Sequence, residues 1–209
     1  MDSKITKLSL KIHEGFIYNY RAKSLTKYVN QLLPKNQSLL GLDVGCGNGE
    51  ISHNLTILKP EIKIQGAEIN ISENNFIKVT KFDGKKLPFA DNEFDFILLV
   101  DVLHHINDFN ELLNECTRVA SNFILIKDHI AETRWDLFRL RVMDWIGNYF
   151  QNVPLPYNYL SNSEWEQLFK NKNLNKQQMI KQLKIYPRIC DFLFNKNIHF
   201  VARLKLDNN

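Results

Sequence analysis

Residues 42–50 read Leu-Asp-Val-Gly-Cys-Gly-Asn-Gly-Glu. Just before them, Leu39, Leu40 and Leu42 form a short apolar run that suits a buried strand. Just after them, Ile51, Leu55 and Leu58 recur at helical spacing. A strand, a turn with three glycines and a helix together describe the first crossover of a nucleotide-binding α/β sheet. A glycine at such a turn lets backbone approach a ligand and take up φ values that other residues avoid.

Details of the turn narrow the ligand. A dinucleotide fingerprint needs Gly-x-Gly-x-x-Gly, and Gly45 and Gly47 fit it, but Glu50 stands where the third glycine belongs. Asp43 adds a second acid two residues before Gly45. Two carboxylates beside the turn repel a pyrophosphate and suit a cationic or zwitterionic ligand. No Gly-Lys-Ser/Thr follows, so a P-loop is excluded.

Asp43-Val-Gly-Cys-Gly-Asn-Gly49 resembles the first motif of the class I S-adenosylmethionine (SAM)-dependent methyltransferases. The resemblance implies a Rossmann-like α/β fold: a seven-stranded, mostly parallel sheet in the order 3-2-1-4-5-7-6, helices on both faces, and the final strand antiparallel. It also implies that Gly45, Cys46 and Gly47 lie under the methionine part of SAM while Asp43 helps to hold its ammonium group. The product would be S-adenosylhomocysteine.

Other acids fall where such a cofactor needs acceptors. Ile62-Lys-Ile-Gln-Gly-Ala67 reads as the second strand, and Glu68 follows it, 23 residues after Gly45. An acid at about this spacing accepts both hydroxyls of a ribose. A short third strand over residues 77–82 ends at Asp83-Gly84, the pair that the resemblance sets against the adenine amino group. Leu87-Pro-Phe-Ala-Asp-Asn-Glu-Phe-Asp-Phe96 is similar to the family's linker into strand four. Phe94–Val100 is almost wholly apolar, as a central parallel strand should be. It delivers Asp101-Val-Leu-His-His-Ile106 to the carboxyl edge of the sheet.

That hexapeptide resembles the small-molecule, quinone-biosynthesis branch of the family, which implies that Asp101 lies near the sulfonium or its carboxylate neighbourhood. His105 matches the more recurrent histidine of that branch. It has two readings: a general base for an acceptor that must lose a proton, or a residue that caps and packs. No metal site is expected, because Asp101, His104 and His105 carry no ligand signature such as His-Glu-x-x-His.

The acceptor side is less sharply written. Residues 11–33 read as an N-terminal covering helix ended by Pro34, with Arg21 and Tyr18 either reaching the cleft or merely solvated. Strand five, residues 123–126, sets Asp128 and His129 on the cleft rim. The segment 131–160 reads as a lid insertion, a helix over 131–149 and a break at 152–159, and a further helix opened by Ser163-Glu-Trp-Glu166 with capping chemistry follows it. Met143, Trp145, Tyr157 and Tyr159 are its pocket candidates. Core packing and contact with an acidic membrane surface are the other readings of its aromatic and basic residues. Residues 179–185 and 198–206 read as a closing antiparallel pair.

Composition bounds the rest. The chain has 209 residues, 44% hydrophobic and 24% charged, with a net charge of +4. One soluble α/β domain fits these figures. Cys46, Cys116 and Cys190 form no Cys-x-x-Cys pair, so a reducing, cytoplasmic setting is expected. The N-terminus lacks a signal-peptide core, and no apolar run is long enough to cross a bilayer. No amine, amide or cytosine methylation signature is present, and no basic block points to nucleic acid. The expected acceptor is a small, partly apolar metabolite or lipid-like molecule, methylated at O, N or C. The alternatives are a SAM-binding partner subunit without catalysis and an NAD-dependent oxidoreductase, the latter disfavoured by Glu50.

Overall fold

The computed structural model describes residues 3–148, 156–187 and 196–207. In chain order the elements are α1 (Ser3–Leu32), β1 (Leu39–Val44), α2 (Glu50–Leu58), β2 (Ile62–Glu68), β3 (Val79–Lys81), β4 (Phe94–Val100), α3 (Phe109–Val119), β5 (Ala120–His129), α4 (Arg134–Asn148), α5 (Asn162–Asn171), β6 (Leu174–Lys181) and β7 (His199–Leu206). A single 3-10 turn, Leu103–His105, follows β4. Cys190 and residues 149–155 of the expected lid lie outside the described residues.

One seven-stranded sheet runs β3-β2-β1-β4-β5-β7-β6. Strands β1 to β5 pair parallel with their neighbours. Strand β7 is antiparallel to both β5 and β6. Order and strand directions are those expected from the resemblance.

Side-chain alternation along β4 and β5 builds two cores. Ile97, Leu99, Ile124 and Ile126 face one layer with Leu112, Leu113 and Cys116 of α3 and Trp165, Leu168 and Phe169 of α5. Phe96, Leu98, Phe123 and Leu125 face the other, against Leu25, Val29 and Leu32 of α1 and Leu55 of α2. Both faces of the central strands are therefore buried, which is why their sequence is continuously apolar. Phe94, Phe96, Phe123 and Phe200 are wholly buried, and each side chain contributes about 2–3 kcal/mol by leaving water. Phe96 and Phe123 stack with their centroids 5.4 Å apart. Gly41 makes room for the Phe96 ring, because a Cβ there would lie 2.3 Å from it.

Four sequence expectations need correction. Strand β5 extends from Ala120 to His129 rather than over 123–126. Strand β6 is Leu174–Lys181 rather than 179–185. It is an edge strand whose residues 175–178 are exposed and polar, so hydrophobic patterning hid it. Leu183 and Ile185, the apolar residues behind that expectation, pack in the loop beyond it against the α1 core. Strand β3 is only Val79–Lys81, shorter than the expected 77–82. The cap of α5 is Ser161, not Ser163: its hydroxyl accepts from the Glu164 N–H, and the Glu164 carboxylate accepts from the Ser161 N–H, a complete capping box.

Candidate functional site

The glycine turn sits at the carboxyl edge of the sheet. Gly45, Gly47 and Gly49 all have positive φ, at 71°, 57° and 78°. The Gly45 N–H donates to the Ala67 carbonyl at 2.8 Å. Gly45 is also a close-approach site, because a Cβ there would stand 2.7 Å from Val102. That contact brings the segment after β4 against the turn. Cys46 packs toward β2, where a Cβ on Gly66 would meet its sulfur at 2.4 Å. Burial pushes the Cys46 thiol pKa upward, so it is a packing residue and not a thiolate.

Three acids stand at or just beyond the ends of β1, β2 and β3. Asp43 is buried and accepts from the Ser52 hydroxyl at 2.6 Å. Desolvation by burial raises its pKa to about 7, against the Ser52 hydrogen bond, with Glu68 adding to the rise. Glu68 accepts from the Gly47 N–H at 2.8 Å and the Ile69 N–H at 2.7 Å. It therefore ties the end of β2 to the turn. Asp83 is exposed, and one oxygen accepts from the Lys85 and Lys86 N–H groups, both at 2.8 Å. These two backbone bonds hold its pKa below the ordinary value. Gly84, at φ 84°, completes that turn.

At the end of β4, Asp101 takes an unusual backbone, φ 55°. Its carboxylate pairs with Arg21 of α1 and Lys127 of β5. The His129 Nε2 lies 3.3 Å away. Burial alone would raise the Asp101 pKa, but Lys127 and Arg21 outweigh it and hold the group well below the carboxylate range. Arg21 of α1 thus meets the carboxyl end of β4. Asp128 and His129 are not on a rim: both are buried inside β5, at 1% and 3% exposure. The sequence reading ended the strand where charges began. Those charges are instead satisfied internally, Lys127 by Asp101 and Asp128 by His104. His129 meets His199 of β7, Nδ1 to Nδ1 at 3.0 Å, and its carbonyl accepts from the Trp165 indole at 2.8 Å.

The histidine pair splits. His104 is buried at 2% exposure, with Nδ1 2.7 Å from Asp128 and Nε2 3.5 Å from Asp144. Burial disfavours its charged form, but Asp128 and Asp144 outweigh burial and raise its pKa. His105 is half-buried, its ring centroid 4.0 Å from that of His104. Tyr159 donates its hydroxyl to Asp144, and the Asp144 pKa is raised by burial. Tyr157 is half-buried at φ 58°, with Arg141 over its ring at 5.6 Å.

Two lid candidates are displaced from a pocket role. Met143, 6% exposed, packs with Ala131, Leu140 and Ile198 in a small core of its own. Trp145 is 55% exposed on α4. Sequence reasoning also missed His104, Lys127, Asp144 and His199, all buried polar groups in this cluster. The one available signal was Lys-Asp-His directly continuing an apolar strand, since charges there must find partners. Asp144 gave none, being far away in sequence on a helix.

Part of the sequence and the fold are similar to those of known proteins. A family model described as "Methyltransferase domain" matches residues 42–122. The chain is 23% identical over 164 residues to a ubiquinone/menaquinone biosynthesis C-methyltransferase of Rickettsia bellii, covering 66% of this chain and 64% of that one. Curated relatives at 31–32% identity share a shorter stretch, and the chain spans about half their length, 46% and 49%. A chain of the Haloferax volcanii complex between the Trm112 methyltransferase activator and a methyltransferase superposes with a TM-score of 0.71 at 12% identity, covering 96% of each. A SAM-dependent methyltransferase of Thermotoga maritima gives 0.65 at 17% identity, covering 95% of each. Among the described residues, no helix is long and apolar enough to cross a membrane.

Proposed function

We propose that this chain is a class I SAM-dependent methyltransferase, with S-adenosylmethionine as its cofactor, that transfers the SAM methyl group to a small, partly apolar acceptor in the cytoplasm; the methyltransferase-domain match over residues 42–122 supports the reading. One observation carries the cofactor half of this reading. Asp43, Glu68, Asp83 and Asp101 stand at or just beyond the ends of β1, β2, β3 and β4, around a turn whose three glycines have positive φ. Four acids at one sheet edge suit a ligand with an ammonium, a sulfonium, a ribose diol and an adenine amino group, each a cation or a donor.

In this reading Glu68 takes the ribose hydroxyls, Asp83 and Gly84 the adenine, and Asp43 with the turn at Gly45, Cys46 and Gly47 the methionine part. Arg21 and Lys127 beside Asp101 supply cations for the SAM carboxylate. A sulfonium is a strongly activated methyl donor, so holding the acceptor in line and excluding water supply much of the acceleration. The acceptor lies toward His104, His105, Asp144, Tyr157 and Tyr159, and its proton leaves on that side of the site. Aromatic side chains beside ionisable ones suit a phenol-like or quinol-like molecule. The similarity to a quinone-biosynthesis enzyme points the same way.

A screen for S-adenosylhomocysteine release over phenolic, quinol, carboxylate and amine acceptors tests this. Turnover with a phenolic or quinol acceptor is the expected result. Turnover confined to amines, or none with any acceptor while SAM binds, would overturn the acceptor assignment.

A further inference from the structure

Once the cofactor acids are assigned, a second group of titratable side chains remains on the acceptor side of the sheet edge. His104 and His105 lie on the 3-10 turn after β4, Asp128 on β5, Asp144 on α4, and Tyr159 before α5. One ring nitrogen of His104, one of His105 and one carboxylate oxygen of Asp144 all lie within 4.8 Å of one another.

Two features separate this group from an ordinary buried polar network. The first is orientation. Asp128 sits behind His104 at 2.7 Å from Nδ1, while Nε2 points to a second carboxylate, Asp144, at 3.5 Å. A carboxylate on one ring nitrogen is how metal-ligating histidines are oriented, the other nitrogen being left for the ion, and here Nε2 and the Asp144 carboxylate stand close enough to share one. The second is charge. Asp101 engages both Lys127 and Arg21, so His104 is left between two carboxylates, those of Asp128 and Asp144. The second oxygen of Asp128 is buried and has no hydrogen-bond partner among the described residues. A cation bound among these groups would add positive charge beside both carboxylates.

We infer that His104, His105 and Asp144 form a binding site for a divalent transition-metal ion, with Asp128 orienting His104 and the Tyr159 hydroxyl at the edge. Two nitrogens and a carboxylate select ions of the zinc, iron(II), manganese and cobalt group over magnesium or calcium. A neighbouring quartet, Asp101, His104, Asp128 and His129, is equally tight. There, however, the Lys127 ammonium and the Arg21 guanidinium already occupy Asp101 and oppose a further cation. Three protein ligands leave coordination positions open. These positions lie on the acceptor side, where a bound hydroxyl would ionise more readily. His105 is then a ligand, a role distinct from both of its sequence readings, base or packing residue. The ligands come from a turn and a distant helix, so no short motif announces them.

The three ligands are not among the groups assigned to SAM, so metal uptake is tested separately from SAM binding. Untagged full-length protein is stripped with a chelator and titrated with Co2+, followed by visible absorption, and with Zn2+, followed by calorimetry. SAM binding is measured on every variant to report folding. One equivalent is expected to bind, with ligand-field bands of a four- or five-coordinate ion. H105A and D144N are each expected to weaken binding tenfold or more, and D128N by about 10–100-fold. H53N, in α2, should change nothing. Wild-type protein that takes up no stoichiometric Co2+ or Zn2+ would overturn the site. So would binding that H105A and D144N both leave unchanged while SAM still binds.

Discussion

Asp43 is the residue whose environment has the clearest solution consequence. Buried against Ser52, its carboxyl has a pKa raised to about 7. A carboxyl raised above its unfolded value contributes stability that is fully present below that value, near 3.8, and lost as pH rises through 7. A ligand ammonium reverses the balance by favouring the charged form. SAM binding should therefore release a proton below pH 7, and affinity should rise between pH 6 and 7.5. D43N should bind weakly and lose that rise, as calorimetry in buffers of different ionisation enthalpy would show. A wild-type affinity flat across this range would remove Asp43 from the ammonium. This residue was legible in the sequence because an acid before a glycine turn is a local pattern. Asp144 was not, because its meaning arises only where α4 lies across the turn after β4.

At the scale of elements, the strands read from sequence with an accuracy that follows their burial. Strand β4, covered on both faces, announced itself by an unbroken apolar run. Strand β6, at an edge with half its length in water, did not. Strand β5 was cut short because Lys127, Asp128 and His129 look like a surface while being packed among partners. The same network joins α1 to the sheet. Arg21 reaches from the helix to Asp101 while Lys127 holds the carboxylate from the other side. Removing one partner of a part-buried charged pair costs about 2–3 kcal/mol. R21A should lower stability by that amount in urea unfolding and weaken SAM binding through the loosened helix. Because D101N removes the same contact, the double variant should lose clearly less than the sum of the two single losses. Strict additivity would mean that the pair does not anchor α1.

For the whole molecule, strand order places chemistry. Strands β1 and β4 lie side by side at the centre, where the sheet changes winding direction and its carboxyl edge opens a crevice. The glycine turn after β1 and Asp101 after β4 meet there, and Val102 against Gly45 fixes their spacing. This much was expected from residues 42–106 alone, because each motif sits at a strand end and strand ends share one edge. The acceptor side was not legible in the same way, being assembled from α4, the segment before α5 and β5, which are brought together only by the fold.

The central claim is that this edge binds SAM. Isothermal titration of the purified full chain with SAM tests it most directly, with S-adenosylhomocysteine as a second ligand. One site per chain is expected for each ligand, with E68A weakening both at least tenfold. Saturation at 100 times the dissociation constant should stabilise the fold by about 2.7 kcal/mol. No binding of either ligand up to millimolar concentration, by a protein that unfolds cooperatively, would contradict the account.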